Sequence, residues 1–329
     1  MKITDTFGER RIITFTGLAK NAGKTTAMRT ALAELTSNGQ RCGITSSGRD
    51  GESFDVLNHN IPKPKIFILA GNLVATTDKL LAKSEVPSKR IESTSYRTPL
   101  GRVMIAEVLQ SGNFEVAGPS TVSGLKVIAD RMLALGADRV LLDGAINRQA
   151  AASPKVSEGT VLSTGAILNA EMESVIEETR KRVDLYRLPK NEDSKIREIF
   201  STISTPTLVD QNYKAVPIQD AQAKKSASWF LLPHALTEHI LEPLAQLKRT
   251  KRLKIIVSDA TKILLPTHKI DFYYKNGIDF QVIHPIDLLC VTANPVSPGA
   301  HRFKPDLFLS RLREALSNIP VLDVVSSVV

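Results

Sequence analysis

The sequence predicts an α/β fold, a mostly parallel sheet flanked by helices. Three observations support this class. A strand–loop–helix–strand unit occupies the N-terminal segment, from "RRIITFTG" to "QRCGITSSG". Segments such as "RVLLDGA" and "GTVLSTGA" are almost continuously apolar, as strands covered on both faces are. Strand-like and helical patterns then alternate along most of the chain, which is typical of parallel sheets with crossover helices.

Composition agrees with a globular protein. The chain has 329 residues, 42% hydrophobic and 23% charged, which is enough for about two domains. No apolar run reaches the roughly 18 residues of a membrane helix, and "MKITDTFGER" lacks the apolar region of a signal peptide. Two isolated cysteines, Cys42 and Cys290, fit a reducing compartment better than a disulfide framework or a zinc site. We therefore expect a cytoplasmic protein with no membrane contact.

The first part of the chain begins with a predicted strand, helix and second strand. "RRIITFTG" is a β-branched strand that ends at a glycine, and a helix follows it with apolar residues at helical spacing until Asn38-Gly39. "QRCGITSSG" is the second strand, and Ser120 or Thr121 is expected to cap a later helix. Further strands are predicted at "PKIFILAG", "RVMIAEVL", "FEVAG", "RVLLDGA" and "GTVLSTGA", and further helices at "STVSGLKVIADRMLALG", "NAEMESVIEETRKRV" and "KIREIFSTI".

A domain boundary is predicted near residue 205, because the polar segment "DQNYKAVPIQDAQAKKSAS" follows "STPT". This gives an N-terminal domain of residues 1–204 and a smaller C-terminal α/β domain or extension of residues 205–329. The sequence does not separate a second domain from a continuation of the same sheet. The elements predicted there are, in order, the strand "WFLLP", the helix "ALTEHILEPLAQL", the strands "KIIVSD" and "LLCVTANP", the helix "KPDLFLSRLREALSNI" and the strand "VLDVVSSVV".

The segment "TGLAKNAGKTT" between the first strand and helix has the chemistry of a phosphate-binding loop, or P-loop. The usual pattern has four residues between the leading glycine and Gly-Lys-Ser/Thr, whereas five follow Gly17 here. The C-terminal half, which supplies the backbone amides, the lysine and the hydroxyl, is intact. We therefore expect a P-loop NTPase-type nucleotide-binding domain. Its nucleotide-binding residues are predicted to be Gly17, Lys20, Asn21, Ala22, Gly23, Lys24, Thr25 and Thr26.

Three of these residues receive specific roles. Lys24 is expected to contact the β- and γ-phosphates, Thr25 to ligate Mg²⁺, and Thr26 to contact the α-phosphate. The alternative is a plain strand–turn–helix with a surface lysine and an N-capping threonine. It does not account for Gly-Lys-Thr-Thr directly after a buried-type strand. ATP and Mg²⁺ are therefore the predicted cofactors.

A P-loop needs a carboxylate at the end of a neighbouring strand to position the metal. Asp143, which ends "RVLLD", is the candidate, and the alternative is an ordinary Asp-Gly turn. Asp50 and Glu52 follow the second strand, as does Asp55, and could orient water or hold the metal through water. An Asp-Gly turn explains them equally well. The predicted catalytic residues are thus Lys24, Asp50, Glu52 and Asp143, and the predicted metal ligands are Thr25, Asp143 and Asp50.

Several segments in this order resemble one family. "GLAKNAGKTT", "TSSGRDGESFD", "TPLGRV", "AGPS", "LLDGAINRQAAASP" and "VLSTGA" are similar to the P-loop ATPase subunit of the lysine 5,6-aminomutase reactivase, across most of residues 10–170 and again in "VTANPVSP". The resemblance implies an ATPase of lysine fermentation that helps eject damaged cobalamin from an adenosylcobalamin-dependent aminomutase. It implies two protein partners, a MutS-like ATPase subunit and the aminomutase. Segments around Asp50 and after Asp143, including Asn147 and Arg148, would be the nucleotide-responsive ones.

The loop also resembles that of the small GTPase-like proteins of molybdenum-cofactor assembly. It departs from the signature-lysine group, where the extra lysine stands five residues before the loop lysine, because Lys20 stands four before Lys24. ATP and GTP are not distinguished, since no Asn-Lys-x-Asp motif is present; Ser163 to Ala166 and Asn294 are candidate base contacts. An ATP-dependent small-molecule ligase or kinase and a non-catalytic nucleotide-binding adaptor remain alternatives.

The net charge of +9 raises the question of anionic partners. The densest basic run, "LKRTKRLK", is interpreted as a solvated helix end that leads into a strand, because no aromatic residues interleave with it. The sequence therefore does not favour nucleic acid as a partner. It leaves the oligomeric state open, a homo-oligomer included.

Overall fold

The computed structural model describes residues 1–47, 65–144, 149–218, 221–246, 251–298 and 301–324. In chain order, the strands and helices are β1 Ile12–Gly17, α1 Lys24–Ser37, β2 Cys42–Ser46, β3 Ile66–Ile68, β4 Leu73–Thr77, α2 Asp78–Lys83, β5 Ser88–Thr98, β6 Gly101–Val108, β7 Gly112–Phe114, α3 Val122–Ala134, β8 Arg139–Asp143, β9 Gly159–Gly165, α4 Met172–Tyr186, α5 Ser194–Thr202, β10 Thr207–Val209, β11 Ala215–Val216, α6 Ala221–Ser226, β12 Trp229–Leu232, α7 Glu238–Ala245, β13 Leu253–Val257, α8 Ile270–Lys275, β14 Ile278–Val282, β15 Leu288–Asn294, α9 Pro305–Ala315 and β16 Val321–Asp323.

The chain divides into two compact units. The first combines Met1–Ile176 with Leu288–Val329, and the second is Glu177–Asp287. This differs from the division predicted at residue 205, into 1–204 and 205–329. The reason is strand pairing: β15 adds to β9 and β16 adds to β15, so the C-terminal segment returns to the first sheet. Apolar patterning identifies such strands but carries no information about which sheet they join.

The first unit is built on a sheet that, in the described part of the chain, has nine strands in the order β16-β15-β9-β1-β8-β2-β4-β6-β5. The seven strands from β16 to β4 are parallel, and β6 and β5 close one edge as an antiparallel ribbon. The predicted mostly parallel sheet flanked by helices is confirmed. The segment "PKIFILAG" instead yields β3, which pairs with β7 outside this sheet.

Side chains of the central strands alternate between two cores, as the two-residue period of a strand requires. Ile13 and Phe15 of β1 pack with α1, whereas Ile12 faces the other side and packs with α3. Burial of both faces explains why β1, β8 and β9 read as continuous apolar runs. The edge strand β5 is the opposite case, because most of its residues are exposed and several are charged.

The C-terminus of α1 and the N-terminus of α3 lie at the residues predicted to end and cap these helices. Asn38 is the C-cap of α1, and Gly39 has a φ of +76°, a left-handed conformation that glycine adopts without strain. Thr121 caps α3 by accepting a hydrogen bond from the amide of Gly124. None of the helices in the described part of the chain has the length and apolar character that crossing a membrane requires.

The second unit has its own small sheet. Its described strands follow the order β11-β10-β12-β13-β14, with β12, β13 and β14 parallel and β10 antiparallel. From the basic run, Arg252 pairs with Asp279 at 2.6 Å and Lys251 donates to Gln211 at 2.9 Å. These contacts agree with the interpretation of the run as surface charge at the start of β13.

Candidate functional site

The predicted phosphate loop, residues 17–26, lies at the centre of the first sheet. It leaves the C-terminal end of β1, whose neighbours are β8 and β9, and enters the N-terminus of α1. Helices and loops at this edge of a parallel sheet form the usual ligand-binding crevice. The chain therefore places residues 18–23 where a nucleotide would be held.

The extra residue of the loop is absorbed in its turn. Strand β1 keeps its full length, and the amide of Leu18 still pairs with the carbonyl of Ser163 at 3.0 Å. The chain then turns between Ala19 and Ala22, where the Ala22 amide donates to the Ala19 carbonyl at 3.3 Å. The insertion therefore does not change the start of the helix, where Gly23 is the N-cap and Lys24 is the first residue.

The backbone amides at the start of α1 are the second feature of the loop. Gly23, the N-cap, has a φ of +101°, and it receives no side-chain cap. Its carbonyl accepts the first helical bond, from Ala27 at 2.9 Å. Within the described residues, no acceptor pairs with the amides at positions 23 to 26. First-turn amides without intrahelical partners, at the positive end of the helix dipole, form an anion-binding site.

Lys24 connects the loop to the neighbouring strand. Its ammonium nitrogen lies 2.5 Å from Oδ1 of Asp143 and 2.7 Å from the carbonyl oxygen of Gly144. The two charged side chains are 16% and 19% exposed, so water screens the pair only in part. A polyphosphate bound at the amides would therefore meet a cation that is already next to the helix N-terminus.

The position of Asp143 follows from strand pairing. It is the last residue of β8, in register with Phe15 of β1, and its carbonyl accepts from the amide of Ser47 at 3.0 Å. Gly144 continues toward β1 and donates to the Phe15 carbonyl at 2.9 Å. A Cβ on Gly144 would stand 3.0 Å from that same oxygen, so glycine is the residue that fits this approach. The Asp-Gly pair thus fixes the carboxylate beside the loop.

The described residues hold no cluster of three or more histidine, cysteine or acidic side chains suited to a metal ion. A magnesium ion at this site would draw further oxygens from phosphate and water, as it does in nucleotide sites. Thr25, the second residue of α1, and Asp143 supply the hydroxyl and carboxylate that suit such an ion. The unpaired amides and the loop lysine beside them fit the phosphates that would accompany it.

Some predicted residues lie outside the described ranges. Asp50, Glu52 and Asp55, and also Asn147 and Arg148, are among them. Of the other loop residues, Gly17 ends β1, whereas Lys20 and Asn21 are exposed and Ala22 is buried. Their roles toward a nucleotide, like that of Thr26, stay predictions.

Polar groups of "AGPS" and of Ser163 form hydrogen bonds within the protein. The amides in "AGPS" are used internally, because Ala117 donates to Thr76 and Gly118 donates to the carbonyl of Ser46. Ser163, one of the candidate base contacts, is fully buried and its hydroxyl pairs with that of Thr292 at 2.8 Å. The side chain of Thr164 is buried as well.

Asn294, the other candidate base contact, lies beside the loop between β1 and α1. It ends β15 and its Nδ2 donates to the carbonyl of Asn21, so it contacts the backbone of the phosphate loop. The signal was in the sequence, since a polar residue directly after an apolar strand often serves a site at the sheet edge. Sequence reasoning missed the contact because it did not place β15 in the first sheet.

Comparisons with known proteins do not identify a family. No protein-family model matches the sequence, and no curated protein matches it. A solved structure of the kinase domain of Escherichia coli tyrosine kinase ETK is 16% identical over 49% of this chain and 58% of that chain, less than two thirds of its length, with a TM-score of 0.26. A ParA family ATPase from Chlorobium tepidum TLS is 11% identical over 93% of this chain and 92% of that chain, with a TM-score of 0.27. Similarities with TM-scores this low do not indicate a function for this protein.

Proposed function

We propose that this protein binds a nucleoside triphosphate with Mg²⁺ at the loop between β1 and α1 and hydrolyses it. One observation carries the proposal: the amides of residues 23–26, which have no acceptor in the described part of the chain, stand beside the Lys24–Asp143 pair. Anion-binding amides, a lysine and a carboxylate on the adjacent strand are the parts that phosphoryl-transfer sites of this kind use. The geometry does not distinguish ATP from GTP, and ATP is proposed on the resemblance of the sequence segments.

Each residue of the site has a proposed role in binding phosphate or the metal. The amides of Gly23 to Thr26 would bind phosphate oxygens, and the ammonium group of Lys24 would exchange its bond to Asp143 for one to phosphate. The carboxylate of Asp143 and the hydroxyl of Thr25 would then be available to the metal. Bound Mg²⁺ neutralises phosphate charge and orients the triphosphate. Breaking and re-forming the Lys24–Asp143 pair would couple nucleotide state to the end of β8, which is how nucleotide switches act.

The biological role proposed is that of a reactivase ATPase for an adenosylcobalamin-dependent aminomutase in lysine fermentation, in the cytoplasm. The resemblance of residues 10–170 supports it. The predicted partners are a MutS-like ATPase subunit and the aminomutase itself. Turnover of ATP that rises when these proteins are added would support the role. Phosphorylation of a small molecule would favour a kinase or ligase instead, and binding without turnover would favour an adaptor.

Titration calorimetry with ATP and GTP, with and without Mg²⁺, tests the site directly. Lys24→Ala removes a charged hydrogen-bond donor, so nucleotide affinity should fall by about 10- to 100-fold while circular dichroism stays unchanged. Lys126→Ala is the matched control, because Lys126 forms a 2.6 Å pair with Asp130 on the surface of α3. Equal affinities of wild type and Lys24→Ala would remove the basis of the proposed function.

A further inference from the structure

Asn294, at the end of β15, forms hydrogen bonds with three other residues. Its Nδ2 donates to the Asn21 carbonyl at 3.2 Å, and its Oδ1 accepts from the amide of Val296 at 3.1 Å. Because a backbone N–H can only donate, the Val296 contact fixes which end of the side-chain amide is oxygen. The main-chain carbonyl of Asn294 accepts from Ala166 of the segment after β9, at 2.9 Å. Both polar ends of the side chain are therefore engaged.

The contact with Asn21 fixes one peptide group of the phosphate loop. In a planar trans peptide, the carbonyl of Asn21 and the amide of Ala22 point in opposite directions. Asn294 binds the carbonyl, and the Ala19 carbonyl accepts from the amide at 3.3 Å. This peptide plane is thus held at both ends, directly before the residues with unpaired amides.

The backbone around this peptide is in a conformation that needs support. Asn21 has a φ of +65°, in the left-handed region that residues with side chains rarely adopt, although asparagine tolerates it better than most. Gly23 has a φ of +101°, and a Cβ added there would stand 3.2 Å from Cβ of Asn294. Asn294 therefore packs against both positions at which the loop backbone turns in the left-handed sense.

We infer that Asn294 is a positioning residue for phosphate binding, which holds the Asn21–Ala22 peptide so that the amides after it keep one orientation. The inference rests on the proposed function. It assigns Asn294 a role toward the loop backbone and hence toward phosphate, because its side-chain amide bonds the Asn21 carbonyl and the Val296 amide. Any ligand that carries a polyphosphate gains equally from it.

Calorimetry with ATP, GTP and inorganic tripolyphosphate, each with Mg²⁺, separates positioning from base recognition. Asn294→Ala should weaken all three by a similar factor of about tenfold, since each loses the preorganisation that one hydrogen bond provides. Weaker ATP binding with unchanged tripolyphosphate binding would reveal a base contact and overturn the inference. Unchanged affinity for all three ligands would overturn it as well.

Asn294→Asp serves as a second variant, because it keeps an acceptor for Val296 but has no donor for Asn21. It should weaken all three ligands at least as much as Asn294→Ala, since its charge also repels phosphate. Binding like that of wild type would contradict the inference.

Asn72→Ala is the control for lost stability. The buried Asn72 side chain accepts from the Cys42 amide at 2.7 Å and donates to the Leu69 carbonyl at 3.0 Å. This variant should lower the Tm without changing the three affinities, and an equal loss of affinity in it would mean that the Asn294 effect is only destabilisation. If wild type bound none of the three ligands, the proposed function itself would fail; if wild type bound them and the Asn294 variants matched it, this inference alone would fail.

Discussion

Lys24 and Asp143 form an ion pair of 2.5 Å that joins the phosphate loop to the neighbouring strand β8. The lysine that would bind phosphate is therefore engaged by the carboxylate that would serve the metal. Phosphate oxygens compete with Asp143 for the same ammonium group. Substitutions of Lys24 and of Asp143 should therefore change nucleotide affinity without Mg²⁺ in opposite directions.

Asp143→Asn should strengthen nucleotide binding in the absence of Mg²⁺ and weaken hydrolysis in its presence. Removing the competing charge frees Lys24, and a partly exposed pair of this kind is worth up to about 1 kcal/mol, or about fivefold in affinity. Hydrolysis should fall at least about tenfold, because the carboxylate proposed to serve the metal is lost. Calorimetry in EDTA and a phosphate-release assay measure the two effects. A variant that matches wild type in both assays would exclude Asp143 from the site.

Thr25→Val should abolish the contribution of Mg²⁺ to ATP affinity while leaving metal-free binding unchanged. Valine keeps the shape of threonine but lacks the hydroxyl proposed to ligate the ion, and Thr25→Ser should restore the magnesium effect to within about twofold. Thr30→Val on the same helix is the control, since the Thr30 hydroxyl is buried with no hydrogen-bond partner among the described residues. A magnesium effect that survives in Thr25→Val would assign the hydroxyl no role.

Both cysteines should resist thiol reagents in the native protein. Cys42 and Cys290 are fully buried, and burial raises the pKa of each thiol to about 12. At pH 8 neither thiol forms the reactive thiolate. Mass spectrometry after treatment with a maleimide should show no modification under native conditions and two modifications in denaturant. Rapid native labelling of either cysteine would contradict the burial of these side chains in β2 and β15.

The same thiols predict a loss of stability at high pH. An unfolded cysteine loses its proton near pH 9, whereas the folded thiol keeps it up to about pH 12, so the native state binds more protons between these values. The free energy of unfolding should therefore fall with rising pH in that window, by about 1.4 kcal/mol per pH unit for each thiol. Urea unfolding at pH 8 and pH 10 measures this. Comparison with Cys42→Ala separates the effect of one thiol from that of other groups that titrate in this window. If the free energy of unfolding of the variant fell as steeply with pH as that of wild type, the raised pKa of Cys42 would be refuted.

The sequence predicted the strand and helix that flank residues 18–23, because these local elements are carried by short segments. Gly23, Lys24 and Thr25 lie where the motif puts them, and Asp143 reaches Lys24 because β8 pairs with β1. Strand pairing over long distances was not predictable from patterning. Strands β4 and β5 were missed, since β4 has only five residues, two of them threonine, and the exposed edge strand β5 consists mostly of serine, threonine and charged residues without an apolar signal.

The contact between Asn21 and Asn294 spans 273 positions along the chain. When a ribosome has completed β9, the strand β15 that covers its other edge and the amide that supports the loop have not yet been made. Contacts between such distant segments form late and slow the folding of a chain. We therefore expect a nascent polypeptide to acquire the nucleotide pocket only after translation has passed residue 294. Until then the edge of β9 is exposed, and it is the part of this sheet most prone to aggregation.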